Sequence, residues 1–211
     1  MGRVSGLYVI TDEDLCPGRT HIEIAKAALA GGARIIQIRD KRACDRKFYD
    51  DALRLRELTE EAGALFFVND RVDIAAAVGA DGINIGQSDM PVAVVRGLLG
   101  NDAIIGVSAD CLEQAIRAQD DGADYIGFGP VFPTGTKLDA GPISGLDVLR
   151  KVCREVSLPI VAIGGIGLAN IGSVAANGAA CAAVVSAVVC AENMITATAD
   201  LVKEFQQFVG W

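Results

Sequence analysis

The sequence predicts an α/β protein in which residues 1–211 form a single (β/α)₈ TIM barrel, and three observations carry that prediction. Eight short β-branched runs recur along the chain, each closing on Gly or polar residues, and a helical pattern follows each one. Hydrophobic residues make up 51% of the chain, with 24 Gly and only 5% aromatics, a mix that suits an aliphatic core with many tight connections. No internal break in composition separates two domains, and the length suits one well-buried core at the short end of the barrel range, roughly 200–250 residues.

The first run covers 6–11 and contains Leu7-Tyr8-Val9-Ile10. The loop after it, Thr11-Asp12-Glu13-Asp14, is not the Gly-rich turn of a doubly wound open sheet, so the closed barrel is preferred. The second run, 34–40, is followed by Phe48, Ala52, Leu55 and Ala62 at helical spacing. Runs at 65–70, 82–87 and 104–109 come next, and Asp110 with Glu113 reads as a capping box for the fifth helix. After the sixth run, 125–130, Ser144 is placed to cap a helix. Runs at 159–166 and 182–189 complete the set, with Ile195, Ala199, Val202 and Phe205 as the last helical stripe.

Several function classes are excluded at this level. A net charge of −8 disfavours a nucleic-acid surface. The longest apolar stretches are short, and one of them, 179–191, is interrupted by Ser186, which argues against a membrane span. No basic-then-apolar leader opens the chain, so a soluble cytoplasmic enzyme is expected. Six cysteines (Cys16, Cys44, Cys111, Cys153, Cys181 and Cys190) show no CxxC and no Cys/His pairing, and they read as reduced thiols.

Barrel enzymes carry their chemistry at the C-terminal strand ends, and the unusual polar residues here fall there. Gln37, Arg39 and Lys41 are spaced by two, opposite Ile36 and Ile38, which points the polar series into the barrel mouth. A buried cation needs an anionic partner, and a phosphate provides one, with Arg39 as a fork and Lys41 as a point charge. The alternative is a solvated strand end paired with Asp40 or Asp70. Asp70 and Asp89 end neighbouring strands and suit Mg²⁺, which takes one or two carboxylates plus phosphate oxygens and water. Each also suits a helix cap. Gly164-Gly165 and Val185-Ser186 match the phosphate site of such barrels, and Thr134-Gly135-Thr136-Lys137 forms a loop able to cover ligand. Each of these also reads as turn chemistry. His21, the single histidine, reads as a surface or capping residue.

Read in order, these segments resemble the thiamine-phosphate synthase family over essentially the whole chain. The resemblance is carried by Leu7-Tyr8-Val9-Ile10-Thr11-Asp12, Gln37-Ile38-Arg39-Asp40-Lys41, Phe67-Val68-Asn69-Asp70 and the run from Asp81 through Gly86-Gln87-Ser88-Asp89. Gly106-Val107-Ser108-Ala109, Gly129-Pro130 through Lys137, Ile163-Gly164-Gly165-Ile166 and Val185-Ser186-Ala187 continue it. It implies two small phosphorylated heterocyclic substrates, with hydroxymethylpyrimidine diphosphate joined to a thiazole phosphate carboxylate and pyrophosphate released. By that likeness the segment Gln37, Ile38, Arg39, Asp40, Lys41 with Asn69 and Lys137 would hold the diphosphate, and Ser108 the pyrimidine. Asp70 and Asp89 would bind Mg²⁺. Thr134, Gly135, Thr136, Gly164, Gly165, Val185 and Ser186 would hold the thiazole phosphate. Asn84 stands where members commonly carry His, which affects one local contact. A related thiazole tautomerase, which relies on a histidine and lacks the Asp pair, is the nearest alternative, and a non-catalytic phosphate-binding scaffold is another. A homo-oligomer is left open.

Overall fold

A computed structural model describes residues 4–136 and 141–208. Strands and helices alternate as β1 (Gly6–Thr11), α1 (His21–Ala30), β2 (Ile35–Ile38), α2 (Asp45–Glu61), β3 (Leu65–Asn69), α3 (Val72–Val78), β4 (Gly82–Ile85) and α4 (Val92–Leu99). The second half continues as β5 (Ile104–Ala109), α5 (Leu112–Asp120), β6 (Tyr125–Phe128), α6 (Gly145–Glu155), β7 (Ile160–Ile163), α7 (Ile171–Ala176), β8 (Cys181–Val184), α8 (Ser186–Val189) and α9 (Met194–Gln206). Every strand pairs in parallel with its sequence neighbours, and β1 pairs with β8 to close the barrel. The predicted (β/α)₈ barrel is the observed one.

Alternation along the strands sorts side chains between two apolar layers. Leu7, Val9, Ile36, Ile38, Phe66 and Val68 face outward into the layer under the helices. Tyr8, Ile10, Ile35, Phe67, Tyr125 and Val161 fill the barrel interior. Three aromatic rings occupy its centre, with centroids 5.6 Å apart for Tyr8–Phe67 and Phe67–Tyr125 and 6.4 Å for Tyr8–Tyr125. Glycines make the room. A Cβ at Gly106 would lie 2.0 Å from the Tyr125 ring, and one at Gly82 would lie 2.6 Å from Phe67.

Several local expectations are corrected. The eighth strand stops at Val184, and 186–189 turns into α8, because Ser186 to Val189 is an apolar run whose composition suits either state. Ala62 caps α2 and is exposed, whereas Phe48, Ala52 and Leu55 are buried as expected. In α9 the buried stripe is Thr198, Leu201 and Phe205, with Ile195 and Ala199 exposed. Cys111 rather than Asp110 precedes α5, without a side-chain cap. Ser144 does precede α6, but its hydroxyl donates to the Pro130 carbonyl at 3.0 Å instead of capping. The capping box lies on α1, between Thr20 and Glu23.

The cysteine reading is also overturned in part. Cys16 and Cys190 form a disulfide across 174 residues of sequence, while Cys44, Cys111, Cys153 and Cys181 are free. Barrel closure explains why spacing could not reveal it: β1 and β8 are neighbours, so the loop after β1 meets the turn after α8. Arg19 reinforces this seam by donating to the Val189 carbonyl.

Candidate active site

The C-terminal ends of β1 to β4 bring opposite charges to one arc of the rim. Gln37 is buried inside the barrel and donates to the Tyr8 hydroxyl at 2.7 Å. Ile38 is buried on the outer face, so only its backbone fronts the rim. Arg39 is mostly enclosed, and its Nη1 donates to Asp12 Oδ2 at 3.1 Å. Asp12, buried at the end of β1 and also accepting from the N–H of Asp14 and Leu15, is a site residue that sequence reasoning missed. It answers the cost of enclosing Arg39.

Lys41, exposed, pairs with Asp70. Asp70 follows β3 and is the one non-glycine among the described residues with a positive φ, at 61°. Asp tolerates this left-handed conformation better than most residues, and its strain marks a position held by its surroundings. Burial pushes the Asp70 carboxyl above the usual range; the nearby Lys41 ammonium opposes this and the Asp89 carboxylate adds to it. Asp89, in the loop after β4, accepts from the Gly86 N–H at 2.6 Å. The expected pair of carboxylates is thus one local group, contacted by Lys41. Asn69 ends β3 in register with Asn84 of β4.

Two expected ligand residues are engaged elsewhere. Asp40 turns from the rim toward His21, and its Oδ1 accepts from the N–H of Arg42 and Ala43, each at 2.8 Å. His21 is fully buried, which corrects its reading as a surface or capping residue; Thr11 Oγ1 lies 2.7 Å from its Nδ1. Ser108 on β5 receives the Asn84 side-chain amide at 3.0 Å, while its carbonyl accepts from Gln87 at 2.8 Å.

The opposite arc is built from the ends of β6, β7 and β8. Thr134 Oγ1 accepts from the Thr136 N–H at 3.3 Å across Gly135. Lys137 lies outside the described residues. Gly164 and Gly165 both have positive φ, and a Cβ on Gly165 would lie 2.4 Å from the Pro133 carbonyl oxygen. Only glycine lets the loop after β7 rest against the loop after β6 in this way. Val185 and Ser186 open α8, where first-turn N–H groups lie outside the helical ladder. The rim therefore has a charged arc and a glycine-rich arc.

Comparison with known proteins agrees with this architecture. The sequence model described as thiamine monophosphate synthase matches residues 7–188. A thiamine-phosphate synthase of Methanocella arvoryzae is 53% identical over 203 residues, covering 96% of this chain and 95% of that protein. One of Chloroflexus aurantiacus is 52% identical over 195 residues, covering 92% and 90%. Among solved structures, thiamine phosphate pyrophosphorylase from Pyrococcus furiosus superposes with a TM-score of 0.90 at 46% identity, over 97% of each chain. Orotidine 5'-phosphate decarboxylase from Pyrococcus horikoshii shares the fold alone, at a TM-score of 0.69 and 15% identity. With a closed barrel, a rim of this composition and relatives matched along nearly their whole length, the chain belongs to the thiamine monophosphate synthase family and is a transferase of thiamine biosynthesis.

Proposed function

We propose that the chain joins hydroxymethylpyrimidine diphosphate to a thiazole phosphate carboxylate in a Mg²⁺-dependent reaction, releasing pyrophosphate and CO2 and forming thiamine phosphate. The observation that carries this reading is the grouping of Lys41, Asp70 and Asp89 on the barrel rim, with Arg39 beside Lys41 in the segment after β2. Two adjacent carboxylates, one of them pushed toward protonation by burial and by the other, make an all-oxygen donor set that suits a hard divalent cation. Asp70 and Asp89 would hold Mg²⁺, which supplies charge neutralisation for the diphosphate oxygens.

The remaining residues position and exclude. Arg39 and Lys41 exchange part of their contact with Asp12 and Asp70 for phosphate oxygens, so neither cation is left unpaired before or after binding. Together with Lys137 they stabilise negative charge as the methylene–oxygen bond breaks. The electron-rich aminopyrimidine carries the positive charge left on its methylene, with Asn69 and Ser108 orienting the diphosphate and the ring. Thr134 to Thr136, Gly164, Gly165, Val185 and Ser186 hold the second substrate so that its thiazole nitrogen forms the new bond at short range. No side-chain nucleophile is needed. A tautomerase reading would require a histidine at the substrate, whereas His21, the single histidine, is enclosed.

This reading carries a cytoplasmic location. Among the described residues no helix is long and apolar enough to cross a membrane. Mixing the two phosphorylated heterocycles with Mg²⁺ should release one pyrophosphate per thiamine phosphate formed, and EDTA should stop it. Absence of pyrophosphate with both substrates shown to bind would overturn the proposal and favour a non-catalytic scaffold.

A further inference from the structure

His21 is the single histidine of the chain and is completely enclosed, yet it takes no part in the chemistry above. Its ring faces Asp40, which lies between Arg39 and Lys41 in the chain. Thr11, buried at the end of β1, contacts Nδ1 at 2.7 Å and also lies 3.3 Å from the Gln37 carbonyl. On the other side, Nε2 faces Asp40 Oδ2 at 3.5 Å, a charge contact that falls short of a hydrogen bond, and the Glu13 carboxylate lies in the same group.

Proton bookkeeping decides what this arrangement is. Thr11 has one hydroxyl hydrogen. Given to Nδ1, it leaves the neutral ring with its proton on Nε2, facing Asp40. Given to the Gln37 carbonyl, it requires Nδ1–H as donor. In the first state the ring presents an Nε2–H toward Asp40 as a long contact without hydrogen-bond geometry. A bridging cation is disfavoured, because Glu13, the third potential ligand, spends one oxygen on the His21 N–H and the other on Lys47, each at 2.9 Å. Asp40 is therefore fixed from two directions. Oδ2 faces the His21 ring of α1 at 3.5 Å, and Oδ1 is hydrogen-bonded to the N–H groups of Arg42 and Ala43. Arg39 and Lys41 are its immediate neighbours.

We propose that His21 is a positioning residue for diphosphate recognition, holding Asp40 so that the flanking Arg39 and Lys41 stay aimed at the rim. The inference rests on the synthase reading, and its test separates the two. Binding of inorganic pyrophosphate with Mg²⁺ is measured by calorimetry for the wild type, His21→Leu, His21→Gln and Asp40→Asn, alongside the KM for the thiazole phosphate and the melting temperature. Loss of the long His21–Asp40 charge contact predicts up to about tenfold weaker pyrophosphate binding in His21→Leu and in Asp40→Asn. The thiazole KM should stay within about twofold, since that substrate sits across the rim. His21→Gln, whose amide N–H reaches toward Asp40, should restore most of the affinity.

Unchanged pyrophosphate affinity in a folded His21→Leu overturns the inference while leaving the synthase reading intact. So does a parallel loss in both substrates and in melting temperature that Gln does not rescue, which would mark His21 as merely structural. If His21→Leu does not fold, Asp40→Asn decides by the same criteria. A wild-type protein that binds no pyrophosphate overturns both readings.

Discussion

Reducing the Cys16–Cys190 bond should lower the stability of the whole barrel while leaving its native geometry in place. The bond joins the loop after β1 to the turn after α8 and closes a ring across 174 positions, most of the chain. For a ring this long, the loss of chain entropy in the denatured state corresponds to about 5 kcal/mol at 25 °C. A denatured chain that stays partly compact already forgoes some of that freedom, so about 2–4 kcal/mol is the expected effect. At this chain length each kcal/mol moves the melting temperature by roughly 2–4 °C, so reduction should lower it by about 4–16 °C. The measurement is calorimetric melting with and without a dithiol reductant, with Cys16→Ser as the variant that reductant leaves unmoved. Thiol titration in denaturant should count four free cysteines before reduction and six after. Equal melting temperatures in both conditions, or six thiols in the untreated protein, would refute the seam-lock argument.

Replacing Asp70 with Asn, or Lys41 with Ala, should cut pyrophosphate release by at least about 100-fold with little change in circular dichroism, because both act on charge at the rim. Gly106→Ala should destabilise the barrel by about 1–3 kcal/mol in urea, since its methyl group would meet the Tyr125 ring. Acid should weaken the β1–β2 corner. Burial raises the Glu13 and Asp40 carboxyls, but the His21 N–H and Lys47 outweigh it at Glu13, and the N–H groups of Arg42 and Ala43 outweigh it at Asp40, so both lie below their ordinary values. Their contribution is complete above the unfolded carboxyl range, roughly pH 4, and disappears as pH falls through the lower folded values. Urea midpoints between pH 7 and pH 2 should therefore hold steady and then drop in the acid limb; Glu13→Gln should flatten that drop.

What could be read from sequence was whatever period two controls. Gln37 lies inside and Ile36 and Ile38 outside because a strand has no other choice once one face is apolar. The rim positions of Arg39, Asp70 and Asp89 follow from the same rule, as strand ends of a parallel barrel share a rim, whereas Lys41 is exposed and paired with Asp70, the solvated alternative to a buried cation. What was missed depends on closure and on loop paths, which have no period. Nothing in the spacing says that Asp12 reaches Arg39, that His21 turns inward between Thr11 and Asp40, or that residue 16 meets residue 190. The α9 stripe was misjudged because Ile195 is apolar yet exposed, whereas Thr198 is polar yet buried, with its hydroxyl donating to the Met194 carbonyl at 2.7 Å.

Position 84, where the family resemblance leads one to expect histidine, has a physical role that asparagine meets. A line of polar groups crosses the barrel interior above its aromatic centre. Gln37 donates to the Tyr8 hydroxyl at 2.7 Å, Tyr8 and Tyr125 meet at 3.2 Å, Tyr125 donates to Asn84 Oδ1 at 3.2 Å, and Asn84 donates to Ser108 Oγ at 3.0 Å. Because Tyr125 gives its proton to Asn84, the hydrogen between the tyrosines belongs to Tyr8, and the whole line donates in one direction. Burial raises both phenols, which keeps them neutral and able to donate. Position 84 must therefore accept on one side and donate on the other. A neutral imidazole does this with one bare nitrogen and one N–H, and the Asn84 amide does it with a carbonyl oxygen and an NH₂. The amide also keeps one protonation state at every pH at which the fold survives, so the line from Gln37 to Ser108 holds its direction without depending on a tautomer.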